Sequence, residues 1–182
     1  MNLPNKLTIL RVCLIPVFLI LYPAGVLNDP FSRYAALFVF IAASLTDALD
    51  GYIARRRNLV TNFGKLMDPM ADKLLVAAAL IAMVQTGALP AWAAVIIISR
   101  EFLITGFRML ALERGIVIAA SSWGKLKTIS QTAMIILILP GFVPNHILLA
   151  VIAAAVVLTV ISAADYIFKN KGVLKEWGAE AK

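Results

Sequence analysis

The stretch Tyr34-Ala-Ala-Leu-Phe-Val-Phe-Ile-Ala-Ala-Ser-Leu-Thr-Asp47-Ala-Leu-Asp50-Gly51-Tyr-Ile-Ala54 decides the fold. It is long and apolar enough to cross a bilayer, yet it carries two carboxylates, which are costly there and therefore informative. On a helix, positions three apart share a face, so Asp47 and Asp50 project the same way. Asp47 precedes Arg55 by eight residues, about 12 Å along a helix axis. That places it inside the apolar layer, near the end marked by Arg55, Arg56 and Arg57. The next apolar run opens Gly64-Lys65-Leu66-Met67-Asp68-Pro69-Met70-Ala71-Asp72-Lys73. Asp68 and Asp72 are four apart and again share a face, and Pro69 suits a first helical turn. A short loop makes the two helices antiparallel neighbours, so all four carboxylates are expected to converge at one depth.

Outward from this pair, six apolar stretches run over 7–27, 34–54, 66–85, 91–112, 126–139 and 146–168, the fifth with a start as early as Ser122. Breakers separate them at Asn28-Asp29-Pro30, at Thr86-Gly87-Ala88-Leu89-Pro90 and at Pro140-Gly141 with Pro144. The 182 residues are 62% hydrophobic with a mean hydropathy of +0.90, above a soluble domain. The expectation is an all-α integral membrane protein, one domain over 1–182, with six transmembrane helices. Residues 2–8 read as a short N-terminal interfacial helix, and the last residues as a frayed solvated end. Basic residues cluster at Lys6 and Arg11, Arg55 to Lys65, Arg114 to Lys127, and Lys169 to Lys175, while the intervening connections carry only Arg33. That alternation puts both termini in the cytoplasm. Arg56, Arg57 and Lys127 are expected at headgroup level as anchors or anionic-lipid contacts. No small-residue cleavage site follows the first stretch, so it reads as a retained helix.

The net charge of +7 has a topological explanation, and no basic face interleaved with aromatics supports a nucleic-acid partner. One cysteine, Cys13, and one histidine, His146, exclude an internal disulfide and a His/Cys zinc site. Cys13 reads as packing. His146 reads as a solvated loop residue remote in sequence from every aspartate, which leaves no Ser-His-Asp triad.

Converging carboxylates repel in a low dielectric unless cations hold them. An oxygen-only donor set selects hard divalent ions, and two such ions can clamp a diphosphate during displacement. Pairing with Lys65 or Lys73 could account for one carboxylate pair, but four at matched depth exceed it. The small residues Ala42, Ala43, Ser44, Ala48, Gly51 and Ala54 narrow one side of the second helix. Close helix packing and room for a nucleotide both explain them.

The spacing Asp47-x-x-Asp50-Gly51-x-x-Ala54-Arg55, eight residues, Gly64-x-x-x-Asp68-x-x-x-Asp72 resembles in full the signature of the CDP-alcohol phosphotransferases. The segments 2–11, 71–75, 100–108 and 124–128 are similar to members that use glycerol 3-phosphate as acceptor. The resemblance implies six spans and transfer of a phosphatidyl group from CDP-diacylglycerol to glycerol 3-phosphate with release of CMP. It implies two divalent ions, Mg²⁺ or Mn²⁺, one on Asp47, Asp50 and Asp68 and the other on Asp47, Asp68 and Asp72, with Asp72 also the general base. It places the CDP moiety against Asn5, Thr8, Asp50, Gly51, Ala54, Arg55 and Gly64. It further implies a homodimer in a bacterial inner membrane.

An acceptor that carries a phosphate calls for cations, and the candidates are Arg100, Arg108, Ser122 and Lys125. Arg100 lies well inside an apolar run beside Glu101. Arginine binds phosphate bidentately, while an Arg100–Glu101 ion pair is the plain alternative. Relatives with inositol phosphate, serine or phosphatidylglycerol as acceptor remain open. Two rivals differ in kind. An ion-coupled transporter would hold its carboxylates at the midplane on broken helices, and a membrane prenyltransferase would lack the Gly51, Ala54, Arg55 and Gly64 framework.

Overall fold

The computed structural model describes residues 3–22, 30–56, 62–113, 115–116, 118 and 121–171, with side chains outside 3–6, 30, 47–56 and 62–69. The fold is all-α. Its helices are α1 (Leu3–Leu21), α2 (Pro30–Arg56), α3 (Asn62–Gln85), α4 (Ala91–Glu113), α5 (Ser122–Ile138) and α6 (Asn145–Lys169). Each expected stretch contains a helix, the first as far as Leu21 with 23–27 outside the described residues, and the fifth takes the earlier start at Ser122. The separate interfacial helix is not formed, because α1 runs unbroken from Leu3. Nothing between Thr8 and Ile9 interrupts the hydrogen-bond ladder, and Pro4 falls in the first turn, where a missing N–H is tolerated.

The chain forms two compact units, Met1–Pro90 with Ile135–Pro144, and Ala91–Met134 with Asn145–Lys182. In unit 1, α1 packs on α2 and α3, and α2 on α3. The buried stripe of α1 is Thr8, Arg11, Phe18 and Tyr22, that of α2 Ala36, Phe40 and Ala43, and that of α3 Ala71, Leu75, Ala79 and Met83, all at helical spacing. The Phe18 ring lies 6.0 Å from Tyr22 and 6.2 Å from Phe40, and the alanines opposite let backbones approach closely. The Tyr22 and Thr86 hydroxyls meet at 3.0 Å. Just beyond α3, Gly87 takes φ +72°. Its N–H donates to Val84 C=O and that of Ala88 to Met83 C=O, the paired bonds of a Schellman stop. Arg11, counted in the N-terminal basic cluster, is fully buried, because it stands in register with Thr8 and Phe18.

In unit 2, α4 and α6 pack together, and α5 is tied to both by side chains. The α6 stripe is Ile152, Ala155, Thr159, Ser162 and Tyr166. Thr159 and Ser162 turn inward from so apolar a helix, where they find partners. Gln131 Nε2–H donates to Thr159 Oγ1 at 2.9 Å, and Phe107 packs edge-on to Tyr166 at 5.8 Å.

Large apolar side chains lie exposed on all six helices, among them Ile20, Phe38, Ile81, Leu103, Ile129 and Leu149. Patches of that extent need a nonaqueous partner. Among the described residues one helix, α6, is long and apolar enough to cross a membrane, and only 28% of its apolar window is buried within the fold. Charges also stand within the apolar helices: Asp47 and Asp50 on α2, and Arg100 and Glu101, which divide α4. Cys13, expected to pack, is exposed. His146, expected in a loop, is an exposed residue of the first turn of α6.

Candidate active site

Both carboxylate pairs lie within continuous helix. Asp47 and Asp50 stand three apart on α2, and Asp68 and Asp72 four apart on α3, two helices that touch within unit 1. The side chains of Asp47, Asp50 and Asp68 lie outside the described residues, as do those of Asn5, Gly51, Ala54, Arg55 and Gly64. Asp72 is described. It is half-buried between the core residues Ala71 and Leu75 and has an interacting partner. Thr8 is buried on α1, one turn from Arg11. The backbone thus carries each pair at a spacing that shares a helix face, and the donors are all carboxylate oxygens. That set suits a hard divalent cation and offers nothing to a soft one. Among the described residues no cluster of three metal-ligating side chains occurs, and three of the four expected ligands lie outside them.

The expected cations all lie in unit 2. Arg100 is nearly buried, its side chain 11% exposed. Arg100 Nη1 donates to Glu101 Oε1 at 3.3 Å and Nη2 to Ser162 Oγ at 2.7 Å. The plain alternative, an Arg100–Glu101 pair, is therefore formed, and it leaves the buried Nε–H without a protein acceptor among the described residues. Lys127 is the main departure from expectation. It is 5% exposed, and its Nζ donates to the same Glu101 Oε1. A buried ammonium needs such a counter-charge. The register holds the signal, since Lys127, Gln131 and Met134 make one buried stripe of α5 while Leu126 and Ile129 face outward.

Arg108 is exposed on α4, and Ser122 and Lys125 are exposed in the first turn of α5. Ser121 caps that helix, its Oγ accepting from Gly124 N–H at 3.1 Å. Among the described residues no hydrogen bond or ion pair joins Ser122 or Lys125 to Arg100 or Arg108. The structure adds Tyr166, a buried residue whose hydroxyl has no partner among the described residues and which feels the charge of both Arg108 and Arg100. Reading by sequence alone passes over Tyr166, Ser162 and Thr159. Their spacing of three and four along α6 is the available clue.

The family model "CDP-alcohol phosphatidyltransferase" matches residues 1–164, a span that runs through both units. The chain is similar to a Bacillus subtilis protein named CDP-diacylglycerol–glycerol-3-phosphate 3-phosphatidyltransferase, 44% identical over 96% of this chain and 97% of that one. It is 42% identical to a Mycobacterium tuberculosis protein named "Probable phosphatidylglycerophosphate synthase", over 91% of this chain and 80% of that one. A Rickettsia bellii protein with the same name as the Bacillus one is 39% identical over 91% and 93%. With its signature residues on α2 and α3 and a match across nearly its whole length, the chain belongs to the CDP-alcohol phosphatidyltransferase family.

Proposed function

We propose that this protein transfers the phosphatidyl group of CDP-diacylglycerol to glycerol 3-phosphate, forming phosphatidylglycerol phosphate and releasing CMP. The observation that carries this reading is the complete aspartate signature on α2 and α3, in a chain whose relatives of equal length are named for that reaction. The two units act as one catalytic domain over 1–182. The six helices lie in the cytoplasmic membrane of a bacterium as six spans with both termini inside, and the protein is a homodimer.

Asp47, Asp50, Asp68 and Asp72 would hold two divalent ions, Mg²⁺ or Mn²⁺. When bound, these supply charge neutralisation to the diphosphate and the departing CMP. Asn5, Thr8, Asp50, Gly51, Ala54, Arg55 and Gly64 hold the CDP moiety. Arg100, with Arg108, Ser122 and Lys125, binds the phosphate of the acceptor, and this fixes which alcohol is used. The acceptor hydroxyl oxygen bonds to the β-phosphorus as the bond from that phosphorus to the CMP oxygen breaks, and Asp72 takes the hydroxyl proton. A carboxylate is a weak base, but it has only to accept a proton that becomes acidic as the P–O bond forms, and orientation contributes much of the rate.

The test is CMP release by detergent-purified protein with CDP-diacylglycerol and, in turn, glycerol 3-phosphate, inositol phosphate, serine, phosphatidylglycerol and free glycerol. Turnover should require glycerol 3-phosphate and stop with chelator. Equal turnover with free glycerol would remove the phosphate pocket, and turnover with another alcohol alone would reassign the acceptor.

A further inference from the structure

One face of α6 meets Arg100. Ser162, fully buried, accepts from Arg100 Nη2 at 2.7 Å, and Tyr166 stands four residues on, on the same face. Tyr166 is 5% exposed. Its ring lies edge-on to Phe107 of α4 at 5.8 Å, so ring packing holds the side chain between the two helices and the hydroxyl is not needed for that. The hydroxyl is buried and has no hydrogen-bond partner among the described residues, and the same is true of Arg100 Nε–H. Asp165 is the adjacent residue, but successive residues on a helix do not face each other. Its Oδ1 pairs with exposed Lys169 at 2.8 Å, and its Oδ2 does not bond the phenol. A buried donor without an acceptor costs free energy, and folds rarely keep one without a use. Here two such donors sit in one unit, on helices that pack together. The charges of Arg108 and Arg100 both act on the phenol, yet a guanidinium has only donors to offer it. The missing partner must accept hydrogen bonds and be at ease beside two arginines, which describes a phosphate oxygen.

We propose that Tyr166 belongs to the acceptor site, its hydroxyl donating to a phosphate oxygen of glycerol 3-phosphate beside Arg100 Nε–H. This rests on the reading that the acceptor phosphate binds at Arg100. The bond adds selectivity to the attraction of the cations. An alcohol without a phosphate leaves both buried donors orphaned, whereas the phosphorylated acceptor satisfies them together. The proposal also fixes the sign of an effect on stability. A hydroxyl that bonds only to substrate contributes nothing to the empty protein, so its removal should not weaken the fold.

The experiment is steady-state kinetics and thermal melting of Tyr166→Phe and Arg100→Lys in detergent, beside the parent. Tyr166→Phe removes one oxygen and keeps the ring on Phe107. It should raise the KM for glycerol 3-phosphate about tenfold, the scale of one hydrogen bond to a charged group. The kcat and the KM for CDP-diacylglycerol should stay within about twofold. Without substrate its melting temperature should equal or exceed that of the parent. A fixed concentration of glycerol 3-phosphate should raise the melting temperature of the variant less than that of the parent. An unchanged acceptor KM in Tyr166→Phe overturns the proposal and leaves a trapped water as the partner of the hydroxyl. A protein that melts several degrees lower without substrate, or does not fold, overturns it as well, because the hydroxyl then serves the fold. Arg100→Lys separates the two layers. A raised acceptor KM there with an unchanged one in Tyr166→Phe strikes Tyr166 alone, and an unchanged acceptor KM in Arg100→Lys removes the reading of the acceptor site itself.

Discussion

The two units differ in which charged groups they carry and how these are held. The described core of unit 1 is mainly apolar, with Phe18, Tyr22 and Phe40 in one cluster and Leu75, Leu80, Met83 and several alanines beside them, and it encloses Thr8, Arg11 and Ser32. The carboxylates of its signature are grouped on α2 and α3. The core of unit 2 is wired by polar contacts at several levels, from Lys127–Glu101–Arg100–Ser162 to Gln131–Thr159. Unit 1 carries the signature carboxylates, whose oxygens suit divalent cations, and unit 2 carries buried cations, of which Arg100 keeps an Nε–H without an acceptor among the described residues. A phosphotransfer between a nucleotide diphosphate and a phosphorylated alcohol needs both. The difference predicts different kinetic consequences: damage to the unit 1 carboxylates should fall on turnover, and damage to the unit 2 cations on the affinity for one substrate.

The largest expected effect comes from the proposed base. Asp72→Asn keeps the shape of the side chain and removes its basicity and charge. The kcat for CMP release should fall by about a thousandfold or more, within the range assigned to a general base with a further loss from weakened cation binding. The melting temperature should change little, because Asp72 is only half-buried. A kcat within about tenfold of the parent would break the assignment. The next effect belongs to unit 2. Arg100→Lys keeps the charge and loses the planar fork, so the KM for glycerol 3-phosphate should rise about 10- to 100-fold while the KM for CDP-diacylglycerol holds. An equal rise in both KM values would erase the contrast between the units.

The six helices are legible in the sequence because apolar length and breakers such as Pro30, Gly87 and Gly141 report directly on where a chain can and cannot continue a helix. The aspartate signature is legible as a spacing, which the structure places on α2 and α3, because carboxylates are costly in apolar surroundings and so stand out there. Lys127 misleads, and the burial of Arg11 goes unread, because basic residues serve two ends in such proteins, marking the cytoplasmic face and filling buried sites, and charge alone does not tell these apart. Register does: Arg11 is three residues from buried Thr8, and Lys127 four from buried Gln131. The orientation of Glu101 is beyond sequence reasoning, since an adjacent-residue contact follows no helical period.

A third perturbation leaves the chemistry untouched. Gly141 holds φ +77°, and a Cβ there would run into the Arg33 guanidinium at Nη1. The guanidinium is the far end of a flexible chain and can move, so the lasting cost is backbone strain, about 1–2 kcal/mol. Gly141→Ala should lower the melting temperature by several degrees, leave both KM values as they are, and be only partly rescued by Arg33→Ala.

The smallest effects give the finest comparison, because each unit contains an uncharged side-chain hydrogen bond of similar length that joins distant parts of the chain. Tyr22 meets Thr86 at 3.0 Å and Gln131 meets Thr159 at 2.9 Å. Removing either leaves no orphaned hydroxyl, since Thr86 also donates to Met83 C=O and Thr159 to Ala155 C=O. Tyr22→Phe and Gln131→Met should therefore each cost about 0.5–1 kcal/mol, the scale of a hydrogen bond between helices in lipid. Their kinetics should differ. Gln131 stands one turn from Lys127 on the buried stripe of α5, so loosening it should raise the acceptor KM about twofold, whereas Tyr22→Phe should lower stability alone. Equal kinetic silence in both variants would mean that the wiring of unit 2 serves packing, and that its cationic cluster is held by Glu101 and Ser162 without help from α5 below Lys127.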